Sequence, residues 1–283
     1  MRIAVLCSRV RIEEKLLFAS LRERGVAFDA IDVRRLGLDV ARNDFADYDA
    51  VLIRCLSHSQ AFYLSRWLEG LGVLTVNRHE SIAVCGDKLL MSLALREAGL
   101  PIPRTGFAFD IEAMVETAEA IGYPVVFKPL HGSWGRLLAR VSDRCAAEAL
   151  LEHKKTLGGY AHAVFYAQEY VPKPGRDIRA LVVGDDVVCA VWRSSDHWIT
   201  NTAAGGNTSP CPVTSEIRDL SLRAARAVGG DVVAVDLLEA GDGRILVNEV
   251  NHTPEFHGAL RATDVDLSGR MVDFVLDAAK ERA

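Results

Sequence analysis

The sequence predicts an α/β chain: an N-terminal unit built on a parallel sheet, then an α+β lid and a strand-rich antiparallel half. Three observations carry this. The first third alternates short apolar runs with helix-period segments, the pattern of βαβ units. Pro101-Ile102-Pro103 then excludes helix and marks an extended linker. Beyond residue 175, apolar runs are separated by turn sequences such as Gly184-Asp185-Asp186 and Gly241-Asp242-Gly243, which predicts antiparallel hairpins.

In chain order, Ile3 to Leu6 reads as the first strand, and Ile12, Leu16, Leu17, Ser20 and Leu21 recur at helical spacing until Arg24-Gly25. Phe28 to Val33, Ala50 to Ile53 and Val73 to Val76 are further strands, with an amphipathic helix through Phe62, Leu64, Trp67, Leu68 and Leu71. A domain boundary is placed at 84, with residues 1–84 before it and 85–283 after it. A helix from Lys88 to Ala98 closes on Gly99. A lid at about 104–168 follows: helix, strand Pro124 to Lys128, a glycine-rich turn at His131-Gly132-Ser133-Trp134-Gly135, strand, helix and strand. The remaining strands are Ile178 to Val183, Val187 to Arg193, Val232 to Leu238 and Ile245 to Val250, with a helix from Ser215 to Val228.

Composition excludes several classes. With 283 residues, 49% of them apolar, the chain can bury one large or several small cores. A net charge of −5, from 33 basic and 38 acidic residues, supplies no general attraction for nucleic acid or anionic membrane. No run approaches the roughly 20 apolar residues of a membrane span, and the apolar start ends at Ser8-Arg9, short of a secretory signal. A cytoplasmic location is the expectation. The six cysteines show no C-x-x-C pairing, which argues for reduced thiols rather than zinc or disulfides. His252 and His257 lack a third nitrogen or sulfur ligand at zinc spacing.

The chemistry-bearing residues cluster. Asp236 ends the run Val232-Val233-Ala234-Val235, and one hairpin later Glu249 and Asn251, two apart, project from one face of a strand. Three oxygen donors at the end of an apolar ribbon suit hard cations bridging nucleotide phosphates; the competing reading is a solvated strand end. Lys128 ends an apolar strand beside the glycine-rich turn, and Lys88 opens a helix. Both are placed to hold polyphosphate, against the alternative of lysines snorkelling to the surface. Ser133, Trp134 and Gly135 belong to a turn that could cover phosphates through backbone N–H groups, although it lacks Walker A spacing. Arg179 and Arg193 in the hairpin half could neutralise a transferring phosphoryl group or an oxyanion, or form ordinary surface ion pairs. Asn201 could donate an amide hydrogen bond there or cap a loop.

At these stretches the sequence resembles the ATP-grasp superfamily, in the branch holding the ribosomal-protein glutamate ligases and the LysX-type ligases of lysine biosynthesis. The matching segments are Cys85-Gly86-Asp87-Lys88, Val126-Phe127-Lys128-Pro129, Gly132 to Leu138, Gln168-Glu169-Tyr170-Val171, Gly175 to Arg179, His197 to Thr202 and Asn248 to Thr253, in family order. The resemblance implies an ATP-grasp fold with an N-terminal pre-ATP-grasp domain. It implies phosphate contacts from Lys88 and Lys128, an adenine-facing hinge at Gln168, Glu169, Tyr170 and Val171, and Asp177 near the ribose. It also implies Mg2+ ions, two in number, on Asp236, Glu249 and Asn251, with Arg179 and Arg193 at an acylphosphate. The implied partners are a small acidic amino-group carrier protein ending in glutamate and an acidic amino acid, α-aminoadipate or glutamate. A homodimer or homotetramer is implied too. The stretches Arg54-Cys55-Leu56-Ser57-His58-Ser59 and Pro254-Glu255-Phe256-His257-Gly258 are expected to face the amino acid, with Arg54, Ser57, His197, Glu255, Phe256 and His257 as its contacts. His257-Gly258 departs from the Lys-Asn of the most comparable members, which leaves the substrate's chain length open. A general base for the amine is not evident.

Overall fold

The computed structural model describes residues 1–132, 135–159, 163–200 and 206–282. Its first sheet is parallel, in the order β2-β1-β3-β4, from β1 (Arg2–Cys7), β2 (Ala27–Asp32), β3 (Ala50–Ile53) and β4 (Thr75–Val76). Ile3 to Leu6 have no solvent exposure, as a strand covered on both faces requires. The helices α1 (Ile12–Glu23) and α2 (His58–Gly70) supply the crossovers. Ala61, Leu64 and Leu68 of α2 pack on Ala4, Leu6, Val51 and Ile53. The strand expected to run to Val33 stops at Asp32, whose carboxylate accepts from the Arg34 N–H and starts a short 3-10 turn.

Next come α3 (His79–Gly86) and α4 (Lys88–Glu97). The Asp87 side chain between them accepts from the N–H groups of Leu89 and Leu90, at 2.8 and 3.1 Å, so the cap fixes where Lys88 begins its helix. The linker Pro101–Pro103 is extended, and its Pro101 carbonyl accepts from the Val247 N–H. The lid follows as β5 (Thr105–Ala108), α5 (Ile111–Ile121), β6 (Val125–Lys128), β7 (Ala139–Val141), α6 (Arg144–Leu157) and β8 (Phe165–Glu169), with sheet order β5-β8-β6-β7. Its core gathers Met114, Val115, Ala118, Phe127, Val141 and Leu151. The strand β5 was not expected. Its Thr-Gly-Phe-Ala sequence is short and half-exposed, and it is held by pairing with β8.

The third sheet is antiparallel, in the order β11-β10-β9-β12-β13. Its strands are β9 (Arg176–Val183), β10 (Asp186–Ser194), β11 (Asn207–Cys211), β12 (Val232–Glu239) and β13 (Ile245–Asn251). Helix α7 (Ser215–Ala227) covers one face through Ile217, Leu220 and Ala224. The chain ends in α8 (His257–Ala262) and α9 (Leu267–Arg282). Helix α9 lays Leu267, Met271, Val272 and Val275 against Leu17 and Leu21 of α1, so the last helix closes the core of the first sheet.

One side chain staples the first sheet to the third. Asn77, 3% exposed, accepts from the N–H groups of Asp231 and Val232 (2.9 and 2.8 Å) and donates to the carbonyls of Val232 and His252 (2.7 and 2.6 Å). Removing it orphans four backbone groups at a buried junction. Asn77→Ala is therefore expected to cost at least about 3 kcal/mol and to lower Tm by on the order of 10 °C, read by calorimetry. An unchanged Tm would show that water replaces the amide.

Candidate active site

The second and third sheets, with the segments that follow β1 and β3 of the first, line a cleft of about 350 Å³. Its floor is a charged row across four strands. Register places Arg193 of β10 opposite Asp177 of β9, Arg179 of β9 opposite Asp236 of β12, and Asp236 opposite Glu249 of β13. Opposite charges directly across a strand pair attract, as in the first two of these pairs, whereas Asp236 and Glu249 are both acidic. Arg179 grips Asp236 through Nε and Nη2, each at 2.8 Å, while Arg193 reaches Asp236 at 3.1 Å and Asp177 at 2.6 Å. Asp177 also accepts from the Thr200 hydroxyl, which in turn takes a 2.6 Å hydrogen bond from Lys173 Nζ. Asn251 Nδ2 stands 3.3 Å from Glu249 and 3.5 Å from Asp236.

Burial alone would raise the Asp236 pKa, but the charges of Arg179 and Arg193 overcome it and hold the carboxyl well below its usual range. Arg193, although buried, is pushed the other way by Asp236 and Asp177 and stays a cation. Among the described residues, no group of three His, Cys, Asp or Glu side chains is gathered. Two carboxylates lie here beside the Asn251 amide, whose Nδ2 faces them; with that amide turned over, its Oδ1 would join them in a hard-donor set that fits Mg2+ completing its shell with water and phosphate.

The ribbon contains a β-bulge: Asp236 faces Glu249, but Leu237 faces Val247, so Asn248 is the extra residue. A bulge re-aims side chains, and here Asn248 joins Glu249 and Asn251 in lining the cleft.

Opposite the row lies the lid. Lys128 is buried, with Nζ hydrogen-bonded to Gln168 Oε1 at 2.5 Å and Asn248 Oδ1 at 3.2 Å. Burial pulls its pKa down to about 8. Lys88 Nζ donates to the Gly132 carbonyl at 2.8 Å, and the Lys88 N–H donates to Leu130 O, so α4 is tied to the glycine-rich turn. Gly135 lines the cleft; Ser133 and Trp134 lie outside the described residues, as does Asn201. Gln168, Glu169, Tyr170 and Val171 all form cleft wall. The Glu169 carboxylate accepts from the Arg104 N–H at 3.0 Å, and Tyr170 meets the Trp198 ring edge-on at 6.2 Å.

The residues expected near the amino acid are placed less uniformly. Glu255 lines the cleft and is paired with Arg11 at 2.8 Å. Arg54, 2% exposed, is turned inward instead. It donates to the buried Glu14 at 3.1 Å and to the Pro254 carbonyl at 3.0 Å, because two buried charges must meet each other. Phe256 is buried beneath it, with its ring 5.9 Å from the guanidinium. His257 Nδ1 meets Glu13 at 3.0 Å, Ser57 bonds Ser59, and His197 accepts from the Ile199 N–H. None of these five forms cleft wall. Asp177, expected at a ribose, is committed to Arg193, Thr200 and Lys173.

Arg11 and Lys173 line the cleft without having been singled out; His58, Thr200 and Asn248 also line it and had been quoted only as members of longer stretches, with no role of their own. Lys173 left a faint signal, a lysine between two prolines joining two strands that end at the site. Asn248 left none, since strict alternation points it away.

Residues 3–84 match the LysX preATP-grasp domain family and residues 85–275 the RimK-like ATP-grasp domain family. A glutamate–LysW ligase, ArgX, of Sulfolobus acidocaldarius is 34% identical over 97% of this chain and 98% of its own length. An α-aminoadipate–LysW ligase, LysX, of Saccharolobus solfataricus is 34% identical over 84% and 87%. The crystal structure of a RimK domain ATP-grasp protein from Sphaerobacter thermophilus superposes with a TM-score of 0.81, at 29% identity, over 98% of this chain and all of that one. Enzymes of this fold use ATP and a divalent metal. A row of carboxylates and arginines facing two lysines across one cleft, in a chain matched over nearly its whole length, makes this protein a member of the RimK-like ATP-grasp family and an ATP-dependent acid–amine ligase.

Proposed function

We propose that the enzyme joins the α-amino group of an acidic amino acid, glutamate or α-aminoadipate, to the C-terminal glutamate of a small amino-group carrier protein. The substrates are inferred from the near full-length match to ligases named for LysW. The chemistry rests on one observation, the Asp177-Arg193-Asp236-Arg179 row facing Lys128. In this reading Lys88 and Lys128 hold ATP phosphates, Gln168 to Val171 meet the adenine, and Asp236, Glu249 and Asn251 hold Mg2+, with two ions proposed. The bound metal would shield phosphate charge and so ease attack at the γ-phosphate. The carrier carboxylate attacks that phosphorus, ADP leaves, and the acylphosphate charge is met by Arg179 and Arg193. The amine then displaces phosphate. Asp177 is assigned to orienting Arg193, through the 2.6 Å bond that fixes its guanidinium.

Incubation with ATP, Mg2+, the carrier and either amino acid is expected to release ADP and add one amino-acid mass to the carrier. Neither product with either amino acid would defeat the reading. The match to the RimK-like domain supports a second reading, stepwise glutamate addition to a peptide tail or small molecule. A ladder of glutamate masses would select it.

A further inference from the structure

The cleft holds an imidazole that the reaction above leaves idle. His58 is the first residue of α2 and lines the cleft, in the wall that also contains Arg11, Leu56, Thr253 and Glu255. Its Nδ1 is buried and has no hydrogen-bond partner among the described residues. Buried polar groups are nearly always satisfied, so an unsatisfied one in a cleft asks for a functional account. The ring is also seated, not loose. It stacks on His131 at 5.8 Å and 12°, packs against Phe62 at 5.7 Å and His252 at 6.0 Å, and fills the space where a Cβ on Gly86 would fall 1.8 Å from its Cε1.

The second half-reaction needs a base. An α-amino group is mostly ammonium near neutral pH and has no lone pair until it loses a proton. The other basic or acidic groups around the wall are engaged: Glu255 by Arg11, His252 by the Thr253 hydroxyl at 2.9 Å, Lys88 by Gly132 and Lys128 by Gln168. We propose that His58 is a catalytic residue that accepts the proton of the incoming amino acid's ammonium group at Nε2, Nδ1 being the buried nitrogen of the ring. This rests on the ligase reading and assigns a role within the same cleft.

The step balances. The ammonium gives one proton to the imidazole, the freed amine attacks the acyl carbon, the C–N bond forms, and the C–O bond to phosphate breaks. The nitrogen's next proton leaves with the phosphate, as hydrogen phosphate, and the imidazolium returns its proton to water. Burial, then the neighbouring His131, lowers the His58 pKa, and Asp87 opposes them. The ring is thus neutral at physiological pH, as a base must be. The charged or titratable groups around it are His131 on the glycine-rich turn, His252 after β13 and Asp87 at the α4 cap.

Hydroxylamine gives a clean test, because it is largely unprotonated at neutral pH and traps acylphosphates without a base. His58→Gln is expected to slow amide formation with glutamate or α-aminoadipate by about 100-fold or more, to remove the acidic limb of its pH profile, and to leave hydroxamate formation on the carrier within about twofold of the parent. Gly86→Ala, which drives the ring from its seat while keeping it in the chain, is expected to show the same split. Equal loss of both reactions, or loss of neither, in both variants would overturn the proposal. A parent enzyme that forms no hydroxamate would instead overturn the carboxylate-activation reading beneath it.

Discussion

Asp236→Ala is expected to reduce amide-forming turnover by at least about 1,000-fold and to destabilise the protein by about 3–5 kcal/mol. The carboxylate is 3% exposed and receives two hydrogen bonds from Arg179 and an ion pair from Arg193. Its removal leaves one guanidinium without a partner and the other with Asp177 alone. The same change takes away a proposed metal donor, so activity and stability fall together. Asp236→Asn, which keeps the shape and loses the charge, should recover part of the stability and none of the turnover. Because the folded pKa is depressed, this carboxylate's contribution is complete above the unfolded value of about 3.9. It fades as pH falls through the lower folded value. Denaturant unfolding should therefore show the parent–variant gap narrowing in strong acid, and ADP release at the parent rate would sink the assignment.

Lys128→Met is expected to do the opposite to stability while still removing activity. The ammonium is fully buried with only neutral hydrogen-bond partners, and its pKa is pulled from 10.5 to about 8. Below pH 8 both folded and unfolded chains carry the charge, and burying it costs the folded state about 3 kcal/mol. Between pH 8 and 10.5 the folded protein releases the proton first, the unfolded chain binds more protons, and stability rises with pH. Methionine abolishes that slope. At pH 7 the variant should be more stable by about 1–2 kcal/mol, after subtracting the bonds to Gln168 and Asn248. Turnover should fall at least about 100-fold, because on the proposed reading this charge holds phosphate. Urea unfolding at pH 7 and 9.5, beside ADP release, checks both parts. A less stable variant at pH 7 would show that the lysine's hydrogen bonds outweigh its desolvation.

Much of this arrangement was legible because it is local. The apolar run before Asp236, the glycine turn after it and the two-residue spacing of Glu249 and Asn251 define a hairpin whose register the structure shows directly. The parallel unit was legible from Ile3 to Leu6 and the helix behind it. What escaped was decided by partners distant in sequence. Strand β11 is Asn-Thr-Ser-Pro-Cys, a sequence with little strand preference and an internal proline, tolerated because it lies on the sheet edge. Arg54 looked like a substrate contact, and no local rule reveals that Glu14, forty residues earlier, waits buried beside it. Helix α9 did leave a signal, in the spacing of Leu267, Met271, Val275 and Ala279, although nothing local says that it returns to cover the first sheet.

The extra residue in the ribbon has a consequence for anyone rebuilding this enzyme. The turn Gly241-Asp242-Gly243 is an exposed joint that should accept lengthening or exchange, since the strands it links are held by their own pairing. Deleting one residue within the paired segment 245–247 of the strand itself is another matter. It would shift the segment past its partner and turn the donor side chains toward α7 and the core. Chimeras between related ligases should therefore be cut in that turn or in the linker at 101–103, and the ribbon inherited whole.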